Sequence, residues 1–498
     1  MRDMAMRDAR ASVASATDVE EFRNLINGEW VQSSSKRPFD NANPSDGADI
    51  VGRFQASTAA DACLAVNAAS AAFEAWKKTS VSKRAAILNR AADHLEAHAD
   101  RTAREMTREM GKALNLARDE VLRSAQTLRF YAVEGQSLTG EVFPNDDADM
   151  TVYTLREPLG VVSVITPWNF PVSIPARKIA PALITGNTVV FKPSSDAPLS
   201  GYRLAEALAV AGLPKGVLNF ITGRAGEIGA AITEPPVIAI SFTGSTAAGE
   251  HICRSVGFTT RTQMELGGKN PLIVMDDADL DQAVDLTVKG GLSLAGQACT
   301  GTSRVLVMKQ VRAEFTAKLV AKVKALKIGS GLAAGMDMGP LATAKQIETV
   351  LRYIAIGRRE ATLLCGGERL TGAGYDGGYY VSPAIFTDVT QQMTIAREEI
   401  FGPVIAIIEV DSYADAIAKA NDTEYGLSAA IVTRNPRVMQ DFANDIQSGT
   451  VKINRTTTGN LINAPFGGLK RSSTSTFRES GRTGLEFYTQ IKTVYRGS

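Results

Sequence analysis

From residue 159 onward the chain alternates short apolar, β-branched runs with helix-forming stretches, and this rhythm constrains the fold more than any other feature of the sequence. Strand-length runs at 161–166, 188–191, 217–221 and 237–242 are each followed by a helical segment, the first three starting near 171, 198 and 226. Such alternation predicts a parallel, doubly wound sheet. A second alternating section, with strands at 272–275, 304–308, 404–410, 427–432 and 450–454, predicts a second α/β unit. Ahead of both, residues 83–132 carry Ala86, Leu88, Ala91 and Leu95 among others at helical spacing, which reads as at least two amphipathic scaffold helices.

A chain of 498 residues exceeds the ~250–300 residues at which a single core stops growing, so more than one packed unit is expected. Boundaries fall near 137, 159 and 267. Lys+Arg 54 against Asp+Glu 53 leaves net +1, which lacks the basic excess of a nucleic-acid partner or of a protein drawn to an anionic membrane. The apolar runs are strand-length, short of the roughly 20 residues that cross a bilayer. The first 18 residues carry Asp3, Asp8 and Asp18 and no apolar core of a secretory signal, so they read as a loose tail on a cytoplasmic protein. Cys63, Cys253, Cys299 and Cys365 are too scattered for a disulfide framework and show no CxxC zinc spacing.

Ligands of doubly wound sheets bind where strand passes into helix. Those turns read PWNFP (167–171), KPSSDAP (192–198), TGRAGEIG (222–229) and FTGSTAAG (242–249). Further on, GQACTGTSR (296–304) places Cys299 in a short polar stretch between an apolar run and a strand. Alone, such a cysteine is an ordinary small hydrophobe; a nucleophile also needs a group for the next step. His94, His98 and His251 are the three histidines, and none lies in a Gly-rich turn. His94 and His98 share a helical face but lack a third ligand, so no metal site is expected. Glu265, followed by Gly267 and Gly268 in MELGGKNP (264–271), is the better partner.

Taken in order, PWNFP, KPS, FTGST, ELGGKNP, GQxCxxxSR, EEIFGPV (398–404) and PFGG (465–468) resemble the aldehyde dehydrogenase superfamily, from INGEW (26–30) almost to the C-terminus. The resemblance implies a Rossmann-type cofactor domain (1–137 and 159–266), a second α/β catalytic domain (267–466) and a small β oligomerisation element (138–158 and 482–498). It also implies that Cys299 forms a thiohemiacetal and then a thioester with a small-molecule aldehyde. Asn169 and the Cys299 backbone N–H would form the oxyanion hole, and Glu265 would activate the hydrolytic water. A free carboxylate product follows, since acyl-CoA-forming members generally lack this glutamate. The cofactor would rest on Thr166, Trp168, Lys192, Ser194, Ser195, Gly226, Gly229, Phe242, Gly244 and Ser245. Glu399 and Phe401 would hold and pack the nicotinamide ribose. Residues 484–495 resemble the strand that family members add to a neighbouring subunit's sheet, so a homodimer or homotetramer is expected.

Two departures from the family pattern bear on specificity. NAD-specific members commonly carry Glu three residues after the lysine, where this chain has Ser195; without that carboxylate, NADP or dual NAD/NADP use is favoured. Ser473 replaces a usual glycine after PFGG, and Glu479 supports the site from behind. Arg177 matches the arginine with which succinate-semialdehyde dehydrogenases grip a carboxylate, a pairing suited to guanidinium, although their second arginine is Ser293 here. A semialdehyde such as succinate semialdehyde is therefore one expectation. Aromatic or small hydroxylated aldehydes are the alternative, with Ala298, Thr300, Thr302, Asn454, Arg455 and Asn463 expected along a polar tunnel. An inactive scaffold would be expected to lose Cys299, Glu265 or Asn169, and a mere nucleotide-binding module would not explain the pair of Glu265 and Cys299.

Overall fold

A computed structural model describes residues 19–497. The loose tail expected over the first 18 residues lies outside them. The predicted alternation folds into a seven-stranded sheet ordered Arg261–Glu265, Val237–Thr243, Val161–Ile165, Thr188–Lys192, Leu218–Phe220, Asn24–Ile26, Glu29–Val31. Its first five strands run parallel, and the last two form an antiparallel hairpin added at the edge. That hairpin turns at Asn27 (φ 51) and Gly28 (φ 76), the left-handed pair that a tight two-residue turn requires.

The second section forms another seven-stranded sheet, ordered Thr362–Cys365, Ala384–Thr387, Val404–Val410, Thr302–Met308, Asn270–Val274, Ser428–Val432, Thr450–Ile453. All its pairings are parallel except that of the edge strand Thr362–Cys365. Each sheet has its own core. Val162, Val164, Phe191 and Phe220 anchor one cluster, with Met264 and Leu266 in a smaller cluster on the same sheet; Ile273, Leu306, Phe386 and Ile407 anchor the other unit. The chain passes between the two sheets directly, from Glu265 to Asn270.

The scaffold region, read as at least two helices, holds three, Val81–Ala97, Ala99–Met110 and Leu114–Glu134. The first buries Ala85, Leu88, Ala91, Ala92 and Leu95, so the apolar stripe runs through Ala85 while Ala86 faces out. His94 and His98 stack with ring centroids 4.2 Å apart, and no group of three or more His, Cys, Asp or Glu placed to hold a metal occurs among the described residues. Residues Met150–Pro158, within the 138–158 part of the small β element that the resemblance implies, form the middle strand of a three-stranded sheet. The strand Thr489–Gly497 pairs antiparallel along all nine of its residues with Met150–Pro158 of its own chain. In this sheet Thr489–Gly497 is an outer strand, and Leu155, Ile491 and Tyr495 of the sheet are exposed. No helix among the described residues is long and apolar enough to cross a membrane.

Candidate active site

Cys299 lies in the loop between the helix Leu280–Leu292 and the strand Thr302–Met308. The loop is held by close backbone approach. Ala295 (φ 50) and Gly296 (φ 70) are left-handed, and a Cβ on Gly296 would collide with the Gly402 carbonyl. Asn270 Nδ2 donates to the carbonyls of Cys299 (2.8 Å) and Gly301 (2.9 Å). A Cβ on Gly268 would lie 2.6 Å from that Cys299 oxygen, which explains why the linker after Glu265 needs glycine. Asn169, 2% exposed, donates from Nδ2 to the Gln297 carbonyl at 3.0 Å. Its amide therefore stands beside the residues that precede Cys299.

Glu265 ends its strand with its side chain 2% exposed, and neither carboxylate oxygen has a hydrogen-bond partner among the described residues. Burial, reinforced by the nearby Glu479 charge, raises its carboxyl well above the ordinary value of 4.5, against the pull of Lys178, Arg478 and Arg177. Burial, with Glu399 and Glu265, likewise pushes the Cys299 thiol up to about 12. An unpartnered carboxylate of raised basicity is suited to accept a proton near neutrality. Behind it, Lys178 pairs with Glu479 at 3.3 Å and donates to Ser241 Oγ at 3.1 Å, which in turn donates to Gln263 Oε1 at 2.8 Å.

Cys299 and Glu265 open onto one cavity of about 560 Å³, whose wall also includes Phe170, Arg177, Ser293 and Phe466. Ala298 and Thr300 line it as expected. Thr302, Asn454, Arg455 and Asn463 do not. Thr302 is buried against the Thr457 hydroxyl at 2.8 Å, and the Asn454 side chain is occupied by the Thr433 backbone. The loop polarity comes instead from Thr458 and Asn460. Arg177 is half-buried, its Nε donating to the Ser173 carbonyl at 3.3 Å and its guanidinium 5.9 Å from the centroid of Phe466. It forms no ion pair among the described residues.

Most residues expected to hold a dinucleotide sit at the carboxyl ends of the first sheet, while Glu399 and Phe401 come from the second unit, just before its strand Val404–Val410. Buried hydroxyls of Thr166 and Thr243 lack partners among the described residues. Ser245 caps the helix Thr246–Ser255, accepting from the Ala248 N–H at 3.3 Å, so the free N–H groups of its first turn are available to an anion. A Cβ on Gly244 would strike the Phe242 ring, whereas Gly226 faces open space and Gly229 closes a short helix against the Ala225 carbonyl. Among the described residues Lys192 Nζ donates only to the Pro193 carbonyl, 2.9 Å away, and burial lowers it to about 8. Ser194 Oγ meets Asp196 at 3.3 Å, and Ser195 Oγ donates to the Gly223 carbonyl at 3.0 Å, tying two of the strand-end turns together. Glu399 accepts from the Gly268 N–H at 3.0 Å, and burial raises it to about 7. Phe401 (φ 55) packs edge-on to Trp168 at 5.5 Å. Orphaned hydroxyls, an available helix terminus and an open glycine edge fit a dinucleotide.

The sequence motifs left out Lys178, which follows Arg177 in a helix and reads as solvated, and the cavity-lining pair of Lys112 and Glu120. The aldehyde dehydrogenase family profile matches residues 30–494. An alpha-ketoglutaric semialdehyde dehydrogenase of Bacillus subtilis is 45% identical over 482 residues, spanning 96% of this chain and 99% of the relative. A betaine aldehyde dehydrogenase of Staphylococcus aureus, solved in complex with NAD+, superposes with a TM-score of 0.93 at 34% identity over 95% of each chain. An NADP dependent enzyme of E. coli superposes with a TM-score of 0.92 at 37% identity, over 96% of this chain and 98% of that one.

Proposed function

The chain belongs to the aldehyde dehydrogenase family, and from that premise we propose that its substrate is an aldehyde bearing a distal carboxylate, of the alpha-ketoglutarate semialdehyde type. The observation that carries this reading is Arg177, a half-buried cation without an ion-pair partner among the described residues, in the wall of the cavity that holds Cys299. The substrate named for the Bacillus subtilis relative has the carboxylate that such a cation would grip. Ser293, a neutral hydroxyl where succinate-semialdehyde dehydrogenases carry a second arginine, favours a keto-bearing acid over succinate semialdehyde.

In this reading the Cys299 sulfur gives up its thiol proton to solvent in the cavity as it adds to the aldehyde carbon, and the developing oxyanion is met by the Asn169 amide and the Cys299 N–H. Lys192, Thr166, the helix start at Ser245 and Glu399 would hold a nicotinamide dinucleotide, with Trp168 and Phe401 packing beside it, and that group would supply the hydride acceptor. The acyl group left on Cys299 is a thioester. Glu265 removes a proton from the water that cleaves it, and the buried Lys178 and Glu479 set the basicity of that carboxylate. Ser195, in place of a carboxylate, removes a repulsion against a 2′-phosphate and favours NADP or dual use. The exposed outer faces of the strands Met150–Pro158 and Thr489–Gly497 serve as the seat of a homodimer or homotetramer.

The test is reduced-cofactor production followed by absorbance, with NAD and NADP, against alpha-ketoglutarate semialdehyde, succinate semialdehyde and benzaldehyde, beside Cys299→Ala. The keto acid semialdehyde is expected to give the highest kcat/KM, and Cys299→Ala none. A preference for benzaldehyde would overturn the substrate class, and turnover surviving in Cys299→Ala would overturn the mechanism.

A further inference from the structure

Lys112 and Glu120 form an ion pair in the cavity wall, with side chains only 1% and 4% exposed. Replacing such a buried pair with apolar residues is often neutral or stabilising, so stability alone does not account for it. Its contacts converge on one short segment. Glu120 Oε1 accepts from the backbone N–H groups of Val172 and Ser173, each at 3.0 Å, at the start of the helix Ser173–Ile184. Lys112 Nζ donates to the Asn169 carbonyl at 2.8 Å and lies 4.6 Å from the centroid of the Phe170 ring. The turn that carries Asn169 is thus gripped at three backbone atoms and one ring.

The other end of the grip is equally fixed. Gly111 is left-handed (φ 84), and the Leu114 N–H donates to the Gly331 carbonyl at 3.0 Å. Cβ atoms on Gly331 and Gly339 would collide with the Lys112 and Gly111 carbonyls. The same catalytic-unit segment continues to Ala342, whose N–H donates to Gln297 Oε1 at 2.9 Å. Gln297 is the residue whose carbonyl receives the Asn169 amide. The pair therefore joins the support of Asn169 to the support of the Cys299 loop.

We propose that Lys112 and Glu120 are positioning residues that hold the Asn169 amide in register with Cys299. They act through the 169–173 turn rather than on the aldehyde itself. This rests on the reading of Asn169 as an oxyanion donor. Loss of register costs transition-state stabilisation while leaving the cofactor turns untouched, so it is expected in the rate of hydride transfer and not in cofactor affinity.

The experiment is a double-mutant cycle of Glu120→Gln with Asn169→Ala in the full-length enzyme, reading the pre-steady-state burst of reduced cofactor and, separately, the cofactor Kd. Asn169→Ala is expected to slow the burst by about 10²- to 10³-fold, the usual cost of one oxyanion donor. Glu120→Gln is expected to slow it by at least about 10-fold, within that ceiling, with an unchanged Kd. Added to Asn169→Ala it should cost nothing more, because residues acting through one group are not additive. If Glu120→Gln does not fold, Lys112→Met, which removes the contact to the Asn169 carbonyl, is carried through the same cycle. A wild-type burst in the folded single variant, or a full further loss in the Asn169→Ala background, overturns the positioning role. A wild-type burst in Asn169→Ala overturns the oxyanion reading itself, and the positioning role with it.

Discussion

Glu265→Gln keeps the shape of the side chain and removes its charge and basicity. Neither oxygen of Glu265 has a hydrogen-bond partner among the described residues, so the exchange breaks no contact and its effects are those of the proton alone. General-base catalysis contributes about 10²- to 10⁴-fold, and hydrolysis of the acyl-Cys299 thioester should slow by that factor while acylation continues. Stopped-flow absorbance should then show a burst of one reduced cofactor per active site, followed by a slow steady state. The stability prediction has the opposite sign. In the folded protein, burial and Glu479 hold the Glu265 carboxyl above 4.5. Above pH 4.5 the unfolded chain has already lost this proton while the folded chain retains it, so wild-type stability falls as pH rises, until the folded carboxyl also ionises. That slope is about 1.4 kcal/mol per pH unit across the window, and glutamine contributes none of it. Urea denaturation of both proteins at several pH values from 4.5 upward should show the variant gaining on the wild type. Hydrolysis at the wild-type rate, or a stability difference that does not grow with pH, would refute the reasoning.

Two further substitutions probe specificity. Arg177→Met removes a charge-assisted contact of about 1.5–3 kcal/mol, so kcat/KM for carboxylate-bearing semialdehydes should fall roughly 10- to 150-fold with little change for benzaldehyde; an equal fall for both would show that Arg177 only packs. Ser195→Glu places a carboxylate near the expected 2′-phosphate, and like charges in contact cost several kcal/mol. The NADP-to-NAD ratio of kcat/KM should drop more than 10-fold, and an unchanged ratio would remove Ser195 from cofactor choice.

Several motif turns were legible because they follow directly on a strand, where a short sequence is nearly sufficient for the shape. PWNFP, FTGST and ELGGKNP are local, and glycines such as Gly268 and Gly296 mark places where another backbone comes close. The strand Arg261–Glu265 was hidden because its Arg-Thr-Gln lead is polar; Gln263 is nevertheless fully buried and accepts from Ser241. The edge hairpin was missed although Asn27-Gly28 is a turn signal, because its strands of three residues each are too short to show a periodicity. Lys112, Glu120 and Lys178 were illegible for a different reason. A lysine or glutamate in a helical pattern reads as solvated, and only tertiary contacts such as Lys112 to Asn169 or Lys178 to Glu479 show it enclosed. The tunnel positions at Thr302, Asn454, Arg455 and Asn463 failed because proximity in sequence to Cys299 or to the 455–463 loop does not decide which way a side chain faces.

The direct passage from Glu265 to Asn270 has a consequence for how the molecule fails. Glu265 ends a strand of the first sheet and Cys299 sits in a loop of the second unit, bridged by Asn169 to Gln297 and by Gly268 to Glu399. Turnover is thus a gauge of how well the two units remain seated on each other. Dilute denaturant that unseats them should extinguish activity while the spectroscopic signals of both sheets still report native structure.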